Sequence, residues 1–175
     1  MNKTRFTFLA GMILAATASR LIPHPPNFSP LASVALFGGA TFANKRVAFL
    51  VPLAALILSD VVLGFYAITP VVYGSFALIV CLGFWTRNRR GAGTIAAAAI
   101  ASAFLFFALT NFGVWALDNL YPKTPAGLVD CYLAAIPFLK NTLLSNLLYS
   151  ALLFGGLAAA ENRFAQLREP AMADA

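Results

Sequence analysis

Six apolar runs, separated by short polar or proline-containing breaks, follow one another along the chain. They cover residues 6–22, 31–43, 47–66, 71–86, 95–117 and 142–160. About 20 apolar residues are needed for a helix to cross the hydrocarbon core of a bilayer. The second run is shorter than that and contains Gly38 and Gly39, so we expect a tilted, kinked or partly re-entrant helix packed against protein. The pattern predicts an all-α polytopic membrane protein with six transmembrane helices.

The stretch 118–141 is more polar and is broken by prolines. Within it, Leu128, Tyr132, Leu133 and Ile136 recur at roughly helical spacing, which requires an apolar partner surface. We therefore expect an outer capping loop whose semi-apolar part, residues 126–139, forms a re-entrant or interfacial helix over the mouth of the bundle.

The amino-acid composition indicates that the protein is surrounded by lipid and not by water. The 175 residues are 61% hydrophobic and 10% charged, whereas soluble domains carry about 25% charged residues. Basic residues occur in small clusters between apolar runs, which indicates topology signals and argues against a nucleic-acid partner. The two cysteines, Cys81 and Cys131, have no metal-binding spacing, and we expect no metal and no cofactor. One membrane domain over residues 1–175 is the simplest interpretation.

The basic residues also predict orientation. Six crossings place both termini on one side, where nine basic residues fall, against three on the other side. The nine are Lys3, Arg5, Lys45, Arg46, Arg87, Arg89, Arg90, Arg163 and Arg168, and the three are Arg20, Lys123 and Lys140. By the positive-inside rule, both termini are cytoplasmic.

The first apolar run, residues 6–22, has a second interpretation as a signal peptide. A basic start, an apolar run and Ala16-Thr17-Ala18 together fit a cleaved signal peptide. Apolar character resumes at Leu21 and Ile22, which favours a retained transmembrane helix. Gly11, Ala15 and Ser19 on this helix have the small-xxx-small spacing that lets another helix approach closely.

The segment Arg20–Pro30 holds the only histidine, His24, and four of the ten prolines. Proline fixes φ, and the residue before a proline is pushed out of the α region. The segment is therefore predicted to be a stiff, extended outer loop that carries an imidazole and the amide of Asn27. An ordinary proline-rich turn between two helices is an equally simple interpretation.

Polar and aromatic residues near the outer ends of the predicted helices are the candidates to line a ligand pocket. By depth and side, the candidate ligand-binding residues are His24, Asn27, Asp60, Tyr73, Asn111 and Trp115. Polar groups within a membrane need partners, and a ligand is one such partner. Structural alternatives exist: Asp60 can pair with Arg20, Asn111 can bond neighbouring helices, and Trp115 can belong to an aromatic interface belt.

Four sequence segments resemble a family of uncharacterised bacterial inner-membrane proteins. They are PHPPNFSP…ALFGGA, LSDVVLGF, TNFGVWA and YPKTPAGL…CYLAAIPFLKNTLL. The architecture in turn resembles the S component of an energy-coupling-factor vitamin transporter.

This resemblance implies a multi-pass protein of the bacterial inner membrane that binds a vitamin-like solute, including the cobalamin type, from the outer side. It also implies an energy-coupling transmembrane subunit with ATPases as partners, docked on the face with Gly11, Ala15 and Ser19. For a cobalamin, the cobalt ligand would be His24 or a cysteine.

Two other classes of function stay open. The first is a structural or assembly membrane protein with no transported ligand. The second is a membrane enzyme, which we do not expect because the sequence has no HExxH, Walker A or GxGxxG motif and no nucleophile with an obvious base.

Overall fold

The computed structural model describes residues 1–168, and these residues form helices and no strand. The helices are α1 Lys3–Ala18, α2 Leu31–Thr41, α3 Lys45–Leu63, α4 Thr69–Thr86, α5 Ala92–Leu117 and α6 Pro125–Arg163. Two short 3-10 turns, Ser19–Leu21 and Ala165–Leu167, follow α1 and α6. The predicted all-α class is confirmed.

Four helices, α3 to α6, are long and apolar enough to cross a membrane, and α2 is a shorter apolar helix. Their exposed surfaces carry large hydrophobic side chains such as Leu50, Val61 and Leu152. Such a surface is stable only against lipid. The chain is a membrane protein, as its composition predicted.

Helix α2 lies at the centre of the bundle. Every residue from Leu31 to Phe42 is buried, and α2 contacts each of the other five helices. Its 11 residues extend about 16 Å at 1.5 Å per residue, well short of the ~30 Å hydrocarbon core. The prediction of a short helix packed against protein is confirmed, although it ends at Thr41 and not at residue 43.

Glycines bring α2 and α4 into direct backbone contact. A Cβ atom on Gly39 would lie 2.1 Å from the carbonyl oxygen of Val80, and one on Gly83 would lie 2.4 Å from that of Leu36. No larger residue fits at either position without moving a helix. Gly38 is similarly close to the Pro52 ring on α3.

Two arginines cap the carboxyl end of α2. Arg87 donates to the carbonyl oxygens of Gly39, at 3.1 Å, and of Phe42. Arg90 donates through Nη2 to the Ala40 oxygen at 2.9 Å. The last carbonyls of a helix have no partner within it and carry partial negative charge, so these guanidinium groups stabilise a helix end inside the bundle.

Helix α6 does not have the boundaries that the sequence predicted for the last part of the chain. Residues 118–141 are not a capping loop followed by a crossing at 142–160, because one 39-residue helix runs from Pro125 to Arg163. Thr124 caps it by accepting from the Gly127 N–H, and Pro125 occupies the first turn, where its missing N–H costs nothing. The interior Pro137 does not end the helix.

The reason for this continuity is packing against α5. Tyr132 donates to the Ala108 oxygen at 2.5 Å, and the Cys131 thiol lies 3.4 Å from the Asn111 oxygen. Helical structure at 126–139 was predicted correctly, but Leu133 and Ile136 are exposed and the segment lies beside α5. It does not line the cavity described below.

The end of the bundle where α1 begins and α6 ends also carries the basic clusters. Arg5, 1% exposed, pairs with Glu161 at 2.6 Å, and Phe6 contacts Phe42 at the end of α2. The nine basic residues predicted on one side all lie at or beyond the helix ends at this pole of the bundle. Of the predicted polar tail 161–175, residues 169–175 lie outside the described residues.

Candidate functional site

At the opposite end of the bundle, Arg20 and Asp60 form a buried ion pair. Arg20 Nη1 lies 2.7 Å from Asp60 Oδ1 and also donates to Ser59 Oγ. The Tyr73 hydroxyl donates to Asp60 Oδ2 at 2.9 Å. The predicted alternative for Asp60, pairing with Arg20, is therefore confirmed. Asp60 is 1% exposed, and both its carboxylate oxygens are occupied.

A cavity of about 290 Å³ lies beside this ion pair. It is bounded by the α1–α2 loop, the end of α3 and parts of α2, α4, α5 and α6. Its lining residues are Arg20, His24, Asn27, Ser29, Leu31, Ala32, Leu63, Tyr66, Val72, Phe76, Phe106, Thr142 and Asn146.

The proline loop forms the mouth of the cavity. His24 and Asn27 are exposed, and Asn27 adopts a positive φ of 60°, a conformation that asparagine tolerates better than most residues. Asn141 on α6 donates to the Pro26 oxygen at 2.9 Å, and Phe28 packs against Tyr149 at 6.3 Å between ring centroids. These contacts hold the loop over the bundle. The loop is not extended throughout, because the Phe28 N–H donates to the Pro25 oxygen at 3.0 Å and closes a turn.

The walls and floor are mostly apolar. Phe76 of α4 and Phe106 of α5 stack at 5.4 Å between centroids, with 24° between ring planes. Leu31 and Ala32, in the first turn of α2, complete the floor. An apolar cavity with few polar groups is the usual form of a small-molecule site.

The deepest polar group is Asn146 on α6, which is 1% exposed. Its Nδ2 donates to the Ala99 oxygen of α5 at 3.2 Å, while its Oδ1 is buried without a hydrogen-bond partner in the described part of the chain. Buried polar atoms are nearly always paired. Oδ1 has less than 1 Å² of accessible surface, so a group in the cavity reaches it only if the Asn146 side chain or its neighbours move.

Two further polar groups lie nearer the mouth. The Ser29 hydroxyl is buried and likewise has no partner among residues 1–168. Partial burial raises the pKa of the Tyr66 phenol above its usual value, and the Asp60 carboxylate raises it further. Tyr66 therefore remains a hydrogen-bond donor at any physiological pH.

The six predicted ligand-binding residues do not form one cluster. His24 and Asn27 line the cavity, whereas Asp60 and Tyr73 form the bonded pair behind Arg20 and are not part of its lining. Asn111 donates within its own helix to the Phe107 oxygen at 2.8 Å. Trp115 donates to Pro122 in the α5–α6 connection at 2.9 Å. The prediction of a single pocket was therefore wrong for four of the six residues. Asp60 and Tyr73 bond each other behind Arg20, and Asn111 and Trp115 bond groups of α5 and of the α5–α6 connection.

The predicted docking face on α1 is only partly free. Gly11 and Ala15 are exposed, and a Cβ on Gly11 would meet nothing within 4 Å. Ser19, by contrast, bonds the Tyr149 hydroxyl at 2.7 Å. Gly11 and Ala15 lie on an exposed surface of α1, and Ser19 belongs to the contact between α1 and α6.

Sequence reasoning missed the deep part of the cavity. Thr142 and Asn146 are four residues apart on α6 and therefore share one helix face; an amide inside the apolar run 142–160 was the available signal. Neither cysteine lines the cavity. Across residues 1–168, no group of three His, Cys, Asp or Glu side chains could hold a metal ion.

Comparison with known protein families identifies the family of the chain. The model of a family of unknown function (DUF6580) matches residues 1–168 of the chain. No curated protein and no solved structure matches it.

Proposed function

Because the chain belongs to DUF6580, a family of unknown function, we propose its role from the cavity: it is a membrane protein that binds a small solute for transport. The observation that carries this proposal is the cavity of about 290 Å³, which has mostly apolar walls and polar side chains of Arg20, His24 and Asn27 in its lining. An apolar cavity with a few polar groups is the usual form of a small-molecule site.

We further propose six membrane passes with both termini cytoplasmic. The six helices alternate in direction, and the basic pole of the bundle carries nine of its twelve basic residues, which favours the cytoplasmic side. The cavity mouth, formed by the loop with His24 and Asn27, then faces outward. In a bacterium this membrane is the inner membrane.

The volume of the cavity limits the size of the solute that it can hold. Small-molecule sites range over about 300–1,000 Å³, and this cavity, at about 290 Å³, is at the lower end. It suits a vitamin-like compound of one or two rings. A cobalamin is far larger than this volume, and neither cysteine is available in the lining to bind its cobalt.

An S-component mode of action remains our proposal for the transport step. The solute would bind from the outer side, and an energy-coupling transmembrane subunit with ATPases would drive release. The exposed face of α1 with Gly11 and Ala15 has small residues that allow a partner helix to approach closely.

The first experiment is to identify what the protein carries. We expect native mass spectrometry of protein purified gently from its own membrane to find a bound compound of a few hundred daltons. Ala32→Phe fills the floor of the cavity and should abolish the bound species. Ala97→Phe places the same side chain on an exposed face of α5 and should retain it.

An empty wild-type protein in several growth media, together with unchanged uptake in cells that lack it, would refute a transport role. That result would favour the alternative of a structural or assembly membrane protein. The Arg20–Asp60–Tyr73 network supports this alternative, since it stabilises the bundle without any ligand.

A further inference from the structure

Arg20 uses only one of its side-chain nitrogens to hold the ion pair. Nη1 donates both to Asp60 Oδ1, at 2.7 Å, and to Ser59 Oγ, whereas Nε and Nη2 donate to no group among residues 1–168. An arginine side chain has five N–H donors in a planar fork. The N–H groups of Nε and Nη2 are therefore left for another acceptor.

These free donors can be reached from the cavity. Arg20 is part of the cavity lining, and its side chain is 12% exposed. Within the described part of the chain, the unpaired side-chain atoms with less than 1 Å² of accessible surface do not include Nε or Nη2 of Arg20. Both nitrogens therefore retain accessible surface, and a solute in the cavity can accept hydrogen bonds from them.

The charge of Arg20 is already balanced by Asp60. This carboxylate is 1% exposed and accepts from both Arg20 and Tyr73. The residues that line the cavity include no second arginine and no lysine. A carboxylate that entered would therefore add an unbalanced charge, which is costly in apolar surroundings. An uncharged carbonyl group can accept from the same N–H groups without that cost.

Tyr66, which also lines the cavity, gives independent support. Burial raises the pKa of its phenol, and the Asp60 carboxylate raises that pKa more than the Arg20 guanidinium lowers it. A tyrosinate at this position is thus repelled by Asp60 more than it is attracted by Arg20. The ion pair therefore disfavours a further negative charge at the cavity wall.

We propose that the cavity selects an uncharged ring compound with a carbonyl group, such as a lactam or an aryl ketone, and discriminates against carboxylates. Arg20 donates to the carbonyl oxygen through Nε and Nη2, and the ring packs against Phe76 and Phe106. Asp60 does not touch the solute and sets the preference for uncharged compounds through Arg20. This inference rests on the proposed function, since it specifies the solute class of the same cavity.

Three aryl probes of similar shape test the inference. 4-Fluoroacetophenone has an uncharged carbonyl group, 4-fluoro-α-methylstyrene has a methylene group in place of the carbonyl oxygen, and 4-fluorobenzoate carries a negative charge. Fluorine-19 NMR measures their binding to detergent-solubilised protein at about pH 8, where imidazole groups are generally neutral. Signal that persists in Ala32→Phe, which fills the cavity floor, is subtracted as uptake by the micelle.

We expect wild type to bind the ketone at least about tenfold more tightly than the benzoate, because burial of an unbalanced charge is costly. Asp60→Asn leaves the charge of Arg20 unbalanced and should strengthen benzoate binding at least about tenfold. The control Tyr73→Phe removes a hydrogen bond from the same carboxylate but keeps both charges, so it should keep the wild-type preference.

The double variant Arg20→Met with Asp60→Asn removes both members of the ion pair and leaves no uncompensated charge. Ketone binding should weaken about tenfold relative to wild type, the effect of about one hydrogen bond to a charged donor. Binding of the styrene, which accepts no such bond, should stay unchanged. Comparing each probe with itself across the variants cancels its own partition between water and micelle.

Benzoate binding by wild type as tight as that of the ketone would overturn the selection for uncharged solutes. Unchanged ketone binding in the double variant would overturn the role of Arg20, and unchanged benzoate binding in Asp60→Asn would overturn the role of charge balance. Should these variants not fold, the wild-type comparison still decides, together with the carbonyl carbon-13 resonance of the bound ketone. That resonance should lie downfield of its position in the micelle, and an unshifted resonance would refute the hydrogen bond.

If no probe binds wild type while a native solute co-purifies, the inferred solute class is wrong and the proposed function stands. If a native solute is absent as well, both the inference and the proposed function fail.

Discussion

Arg20 and Asp60 connect the end of α1 to α3 through a buried ion pair, with 2.7 Å between Nη1 and Oδ1. Asp60 is also bonded by Tyr73 from α4, so three helices meet at one carboxylate. Asp60 is 1% exposed and is not part of the cavity lining. This acidic residue at membrane depth is therefore structural, while its partner Arg20 lines the site.

Asp60→Asn should lower the free energy of unfolding by about 3 kcal/mol, because removing one member of a buried pair leaves the other charge uncompensated. Tyr73→Phe removes only one hydrogen bond to the same carboxylate and should cost about 1.5 kcal/mol. Unfolding in mixed detergent micelles measures both. Equal stability of Asp60→Asn and wild type would contradict the ion pair.

Gly83→Ala should prevent normal assembly of α2 against α4, because the new Cβ would lie 2.4 Å from the Leu36 oxygen. Overpacking at a rigid contact costs about 1–3 kcal/mol or more. Gly74→Ala on the same helix meets nothing within 4 Å and should leave the folded yield unchanged or raise it. Size-exclusion chromatography and thermal melting distinguish the two, and similar behaviour of both variants would refute the close contact.

Arg87→Gln should destabilise the fold by about 2 kcal/mol, since carbonyl groups at the end of α2 lose charged donors. Arg89→Gln is the matched control: Arg89 is exposed and lies over the Trp85 ring, and surface changes usually stay within about 0.5 kcal/mol. The measurement is thermal unfolding at several salt concentrations. A larger effect at Arg89 would contradict the cap.

Asn88→Cys should react with a membrane-impermeant maleimide only after the membrane is opened, because residue 88 lies in the basic α4–α5 connection at the proposed cytoplasmic pole. Asn119→Cys, exposed in the α5–α6 connection, should react in intact spheroplasts. Both changes are made in protein with Cys81→Ala and Cys131→Ala. Labelling of position 88 from outside would reverse the orientation and place the cavity on the cytoplasmic side.

Much of the fold could be predicted because lipid imposes a simple rule: backbone groups must be satisfied within helices, so apolar runs become helices. The ends of α4 and α5 were predicted to within three residues. Helix α6 could not be predicted as one element, since Pro137 and the polar pair Lys140-Asn141 look like a boundary. Contacts with α5, which the sequence does not reveal, keep it continuous.

The site was predicted less well than the fold, because depth along a helix says nothing about which face a residue occupies. Asn111 and Asp60 were predicted at depths suitable for a ligand pocket, but their side chains form hydrogen bonds with other groups of the protein. Asn146 was overlooked although it is an amide inside the apolar run 142–160, because the sequence does not show which face of α6 points to the cavity. An unpaired atom becomes visible only when every neighbouring hydrogen bond is known.

The complete enclosure of α2 has a consequence for how the protein is made. A segment of 11 residues is too short to be stable alone in a bilayer, and its capping arginines come from the α4–α5 connection, more than forty residues later in the chain. We therefore expect α2 to become stable in the membrane only after α3 and α4 surround it, so that insertion of these helices is cooperative.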